Sequence, residues 1–169
     1  MSASIGAEPK TTMDETRNLD GGCACGMVRY RLAPPPLFVH CCHCRDCQRQ
    51  TGSAFVINAL IETGRVAVLQ GETAPLAVPT ESGRPHRIFR CPVCQTAVWS
   101  EYGGVAKLRF VRVGTLDEPT VLAPDVHIYV RSKLPWVKLP EGVPAFEAYY
   151  DSRKLWPAAS LERRRAILG

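Results

Sequence analysis

Cys23, Cys25, Cys41, Cys42, Cys44, Cys47, Cys91 and Cys94 are the residues whose type and spacing could do chemistry, and each lies within three positions of another. Disulfides across such short loops would be strained, so a disulfide scaffold is a poor reading of this pattern. A redox dithiol is the second alternative. Clustered thiols in a reducing compartment more often bind metal, and that reading leads here. Cys23 and Cys25 can join Cys91 and Cys94 in a closed tetrahedral site of four thiolates, the donor set that zinc favours. Structural zinc of this kind contributes on the order of 10–16 kcal/mol to small metallo-domains. Gly26 follows the first pair and eases the turn toward the sulfurs. Gln95 stands at the equivalent place after the second pair, where a left-handed backbone would cost roughly 1–2 kcal/mol, so that turn is expected to differ.

The run His40-Cys41-Cys42-His43-Cys44-Arg45-Asp46-Cys47 is the second constellation. In an extended stretch alternate side chains share a face, which puts Cys42 and Cys44 together and turns Cys41 and His43 away. A turn at Arg45 and Asp46 brings Cys47 to the face of Cys42 and Cys44. Three thiolates with an open fourth position is how a catalytic zinc differs from a structural one. His43 is the rival ligand by chemistry, but alternation puts it on the wrong side; His40 is a further alternative, and Cys41 reads as a small buried hydrophobe.

The elements that must position these residues are short and mostly extended. Val28, Tyr30 and Leu32 alternate with Arg29 and Arg31, the period of a half-buried strand. Residues 54–61 form an apolar run of buried-strand length. Residues 96–102 and 105–113 flank Gly103-Gly104, which predicts a hairpin with a two-residue loop. A further strand is expected over 126–130. Helical signals are confined to a turn at 46–51 and a terminal helix at 160–168 capped by Ser160. The division expected is a flexible tail at 1–18, a zinc-binding β domain at 19–150 and a basic segment, helical in part, at 151–169.

Hydrophobic residues make up 46% of the 169-residue chain and charged ones 22%, a balance that excludes a largely disordered protein. No apolar run reaches the roughly 18 residues of a membrane span, and the first twenty residues hold no apolar signal core, so the cytoplasm is the expected location and a membrane partner is not expected. A net charge of +5 suits an anionic small molecule. Arg153, Lys154, Arg163, Arg164 and Arg165 read as a solvated face rather than a nucleic-acid contact.

Several stretches together resemble one family. They are Cys23-Ala-Cys25-Gly26, Cys42-His43-Cys44-Arg45-Asp46-Cys47, Gly52-Ser53-Ala54-Phe55, and Phe89-Arg90-Cys91-Pro92-Val93-Cys94. The later Gly114-Thr115-Leu116-Asp117, His127-Ile128-Tyr129-Val130 and Lys133-Leu134-Pro135-Trp136 belong to the same pattern, which runs over residues 20–147. It is similar to the glutathione-dependent formaldehyde-activating enzymes, relatives of the centromere protein V group.

The resemblance implies a mainly-β fold of the β-tent type, with small antiparallel sheets around a structural zinc. It implies S-(hydroxymethyl)glutathione synthase chemistry, a carbon–sulfur lyase in reverse, acting on glutathione or a similar thiol and formaldehyde or another small aldehyde. Two zinc ions per chain would follow, a structural one on Cys23, Cys25, Cys91 and Cys94 and a catalytic one on Cys42, Cys44 and Cys47. Glutathione carries two carboxylates and one ammonium, so cations are expected beside the second site. Arg45 and Arg49 are nearest in sequence, with Arg131 or Lys133 as further candidates. Phe55 and Trp136 read as core or pocket wall, and His127 as a structural histidine or proton relay. The alternative function is a zinc-binding module without catalysis that contacts protein or nucleic acid; a fourth protein ligand on the second zinc, such as His43, would favour it.

Overall fold

The computed structural model describes residues 17–169; most of the expected tail, residues 1–16, lies outside the described residues. The mainly-β expectation holds. A three-stranded antiparallel sheet is built from β1 (Leu19–Gly22), β2 (Arg29–Leu32) and β5 (Val66–Gln70), in that order. The second sheet has eight strands: β3 (Phe38–Cys42), β4 (Val56–Glu62), β6 (Ala74–Val78), β7 (His86–Arg90), β8 (Ala97–Tyr102), β9 (Leu108–Arg112), β10 (Val126–Ile128) and β11 (Ala145–Phe146). Their order is β11-β10-β3-β4-β9-β8-β7-β6. The pairings β10 with β3 and β11 with β10 are parallel, and the other five are antiparallel. Parallel neighbours cannot share a tight turn, so long irregular segments join these strands.

One core lies where the small sheet meets the large one. Val28, Tyr30 and Leu32 are fully buried there with Val98, Trp99 and Val111, and the alternation read from the sequence selects the inward side of β2. Tyr30 meets Trp99 edge to face at 5.6 Å, and its hydroxyl lies 2.6 Å from Thr115 Oγ1. The second core is built on Leu37, Phe38, Cys42, Leu60 and Ile128, closed over by Trp156, which stacks on Phe38 at 5.4 Å. Helix α2 (Ala158–Leu168) is tied to the sheet by Arg163, whose guanidinium donates to both Glu62 oxygens (2.9 and 2.7 Å) and to the Pro35 carbonyl.

Every residue of β3 is buried. The strand lies between β4 and β10, and the two cores cover its faces: Phe38 and Cys42 face the second core, Val39 the first. That is why FVHCC carries no exposed polar position.

Four local expectations differ in detail. The turn at 46–51 is a seven-residue helix, α1 (Arg45–Thr51), because Cys44 caps it and Gly52 ends it at φ 64°. Gly103 and Gly104 both take positive φ, but β9 starts only at Leu108, since Val105 turns inward against the second core. Strand β10 stops at Ile128 because Tyr129 is left-handed (φ 57°, ψ 39°). Helix α2 starts after Pro157, whose fixed φ suits a helix entry, and Ser160 is buried inside the first turn instead of capping it.

Candidate metal centres and the cleft between them

All eight cysteines are free, and seven of them fall into two groups whose sulfurs lie within 4.8 Å of one another. Cys23, Cys25, Cys91 and Cys94 form the first, joining the start of the small sheet to the β7–β8 turn. Cys23 Sγ lies 3.5 Å from Cys25 Sγ, and Cys25 Sγ lies 3.8 Å from Cys91 Sγ. Four thiolates held tetrahedrally at about 2.3 Å from zinc stand about 3.8 Å apart, so this set is sized for the ion. Gly26 (φ 78°) and Gln95 (φ 60°) turn the backbone in the same left-handed sense, so the two turns match where they were expected to differ. The Gln95 carbonyl accepts from Arg90 Nη1 at 2.9 Å and its side chain donates to the Pro92 carbonyl at 3.1 Å. These bonds offset the cost of a side chain at positive φ.

Cys42, Cys44 and Cys47 form the second group. Cys42 ends β3, Cys44 is the N-cap of α1, and Cys47 follows one turn later; the Cys47 N–H donates to Cys44 Sγ at 3.4 Å. Helix α1 is pinned by Gln48, whose buried amide donates to the His43 carbonyl (2.7 Å) and the Ser132 carbonyl (2.9 Å). On its outer side Asp46 accepts from the Glu81 N–H at 3.0 Å. Hydrogen bonds from Cys42, and then Cys47, push the Cys44 thiol down to about 2, while the same sharing, with burial, pushes Cys42 up.

Alternation also holds for the residues on the other face. Cys41, His43 and His127 form a third, wholly buried group. His43 Nε2 lies 3.0 Å from His127 Nδ1 and 3.6 Å from Cys41 Sγ, and the outer nitrogens, His43 Nδ1 and His127 Nε2, meet no hydrogen-bond partner. His43 thus does not join the Cys42 group. His127 arrives through the parallel pairing of β10 with β3, opposite Cys41. No spacing in the sequence signals that pairing. His40 bonds to Tyr150 Oη at 2.8 Å, and burial pushes it down to about 4.

A cleft of about 320 Å³ opens over the three cysteines. Arg112, at the end of β9, lies in its floor with 7% of its surface exposed; it donates to Asn58 Oδ1 and its Nε has no partner. Cys42, Cys44 and Cys47 act on it electrostatically. Sequence reasoning missed Arg112, because LRFVR does not distinguish a buried arginine from the ordinary exposed one. Arg131 stands at the rim, 3.9 Å from Glu81 and with its guanidinium 5.8 Å from the Tyr129 ring centre. Arg45 and Arg49 line a different, more open depression with Gln48, Phe55 and Trp136, which shares no lining residue with the cleft. Trp136 is 71% exposed there rather than packed in a core. Lys133 is held by the Val137 carbonyl at 2.7 Å.

No helix among the described residues is long and apolar enough to cross a membrane. A family model described as glutathione-dependent formaldehyde-activating enzyme matches residues 18–132. A protein of Halomonas elongata, provisionally named a glutathione-dependent formaldehyde-activating enzyme, is 28% identical over 132 residues, which cover 72% of this chain and 80% of that one. Among solved structures, the crystal structure of a Rhodobacter sphaeroides protein aligns at 19% identity and a TM-score of 0.45, over 58% of this chain and 87% of the other.

Proposed function

The chain belongs to the glutathione-dependent formaldehyde-activating enzyme family, and on that premise we propose that it joins a small thiol, glutathione or a similar one, to formaldehyde or another small aldehyde, forming an S-hydroxymethyl type of adduct. The observation that carries this reading is the placing of Cys42, Cys44 and Cys47 at the floor of an open cleft, with His43 turned to the opposite face of β3. Three soft donors leave a fourth position free, which suits a reacting thiol better than a closed structural clip. The four-cysteine group, in this reading, is the structural zinc site.

Zinc held by Cys42, Cys44 and Cys47 would supply a Lewis acid that keeps a bound thiol deprotonated. A free thiol of pKa near 8.5 is about 3% thiolate at pH 7, so full deprotonation is worth at most about 30-fold in reactive species. The remaining acceleration has to come from orientation of the aldehyde in the cleft. In the addition a carbon–sulfur bond forms, the carbonyl π bond breaks, and the oxygen takes a proton equivalent to the one the thiol gave up. Arg112 offsets the negative charge gathered on the three cysteines from beneath the floor.

Exchange spectroscopy of formaldehyde with thiol tests the reading. Line broadening above the uncatalysed rate is expected with the zinc-loaded chain and not with folded Cys44→Ser. Equal broadening in both would overturn it. Binding of glutathione and its S-methyl form with equal affinity would remove the thiolate from the mechanism.

A further inference from the structure

The walls of the cleft differ from what a peptide thiol with two carboxylates requires. Four phenyl or phenol rings line it, those of Tyr102, Phe110, Tyr129 and Tyr149, together with the imidazoles of His40 and His86. Apart from the cysteines its formal charges cancel: Asp46 and Glu81 oppose Arg112 and Arg131. Neither arginine is free, since Arg112 serves Asn58 and the cysteines while Arg131 stands beside Glu81. The two cations that sequence reasoning assigned to glutathione, Arg45 and Arg49, line the separate depression. A carboxylate one or two residues from a thiol seated on the cysteines would compete with Glu81 for Arg131 and lie near Asp46.

Two of the rings are held in place by features that packing alone does not demand. Tyr129 is left-handed at φ 57°, a conformation costly for a bulky residue and one that concentrates at ligand sites. Tyr149 keeps 49% of its surface exposed while its ring stacks on Tyr150 at 5.0 Å and on His40 at 6.0 Å. Such a face is built to receive another flat group.

Resting on the thiol-addition reading above, we propose that the thiol this cleft takes is an uncharged one with an aromatic body, its sulfur on the Cys42–Cys44–Cys47 site and its ring between Tyr129 and Tyr149, in preference to glutathione. Ring burial favours the aromatic thiol, and a mouth whose arginine stands beside Glu81 offers the charged one no dedicated cation. Coordination releases one thiol proton for either ligand, so the difference lies in the walls.

Cobalt-loaded protein provides a test independent of activity, because a thiol entering the open position changes the cobalt–sulfur absorption, whereas a closed four-cysteine site does not respond. Phenylmethanethiol and glutathione are titrated side by side. Half-saturation by phenylmethanethiol is expected at a concentration at least tenfold lower. Tyr149→Ala, at an exposed position, should cut that ratio below threefold by weakening phenylmethanethiol alone. Glu81→Gln should improve glutathione and leave phenylmethanethiol unchanged. A response that favours glutathione, or treats the two alike, overturns the aromatic preference while leaving the open metal site standing. No response to either thiol removes the site reading and the preference with it.

Discussion

Cys25→Ser and Cys44→Ser each remove one thiol from a candidate zinc site, yet they should differ in what they do to stability. Zinc stabilises the folded chain only by as much as it prefers that chain to the unfolded one. Cys42 and Cys47 are five positions apart, so an unfolded chain can gather the local donors at a chain-entropy cost of about 2.1 kcal/mol. Cys25 and Cys91 are 66 positions apart, and closing that span costs the unfolded chain about 4.4 kcal/mol. The four-cysteine site therefore discriminates for the folded state by about 2.3 kcal/mol more. Cys25 is exposed, so its replacement removes a ligand with little loss of packing, whereas Cys91 is fully buried and its serine variant adds a buried hydroxyl to the cost. For a chain of this size each kcal/mol is worth roughly 2–4 °C, which puts the midpoint of Cys25→Ser roughly 5–9 °C below that of Cys44→Ser in zinc-buffered scanning calorimetry. Elemental analysis should show Cys44→Ser keeping one zinc of two. Equal midpoints, or the lower one in Cys44→Ser, would refute the division into a folding clip and a local reactive site.

Arg112→Met should weaken zinc at the Cys42 group by tenfold to a hundredfold in a chelator competition and leave the four-cysteine group unchanged, because it removes the buried cation beside those thiols. Arg163→Met should cost about 2–4 kcal/mol in urea unfolding, since it leaves the largely buried Glu62 carboxylate unpaired. Burial alone would raise the Glu62 carboxyl, but the Arg163 bonds prevail and hold it below its ordinary 4.5. Its contribution to stability is accordingly whole above pH 4.5 and lost as pH falls through the lower folded value; an acid titration of the urea midpoint in which Arg163→Met and the parent show the same slope would contradict this. Gly21→Ala would place a Cβ 2.6 Å from the Thr115 carbonyl oxygen and 2.6 Å from the Tyr30 hydroxyl, and should lower the thermal midpoint by several degrees.

Much of the site was legible because it is local. Alternation along residues 40–44 separated Cys42 and Cys44 from Cys41 and His43, and the structure keeps that separation. The two spaced pairs Cys23/Cys25 and Cys91/Cys94, read as halves of one four-thiol group, also lie together. The alternating apolar positions Val28, Tyr30 and Leu32, in and just before β2, named three fully buried residues. What could not be read is whatever depends on parallel pairing or on which end of a long side chain is buried. His127 reaches Cys41 only because β10 runs parallel to β3, and Arg112 is inward only because β9 lies beside β4. Arg45 and Arg49 were placed by nearness in sequence, and the helix they ride turns them toward another depression. Gln95 was judged by its intrinsic cost, which two local hydrogen bonds offset.

Residues 41–44 carry members of two donor sets, and odd or even position along this run decides which of them face the cleft, Cys47 joining them from α1. Even positions present thiols backed by Arg112; odd positions present a thiol and an imidazole that meet a second imidazole from β10. An inserted or deleted residue between Phe38 and Cys41 would turn Cys42 away from the cleft and Cys41 toward it, breaking up both sets. The β4 and β10 neighbours fix the register on both sides, pairing Cys42 with Val56 and with Ile128. Length variation in the descent of such chains should therefore be absent from this strand and collect in segments such as 71–73, between β5 and β6, where no donor set hangs on parity.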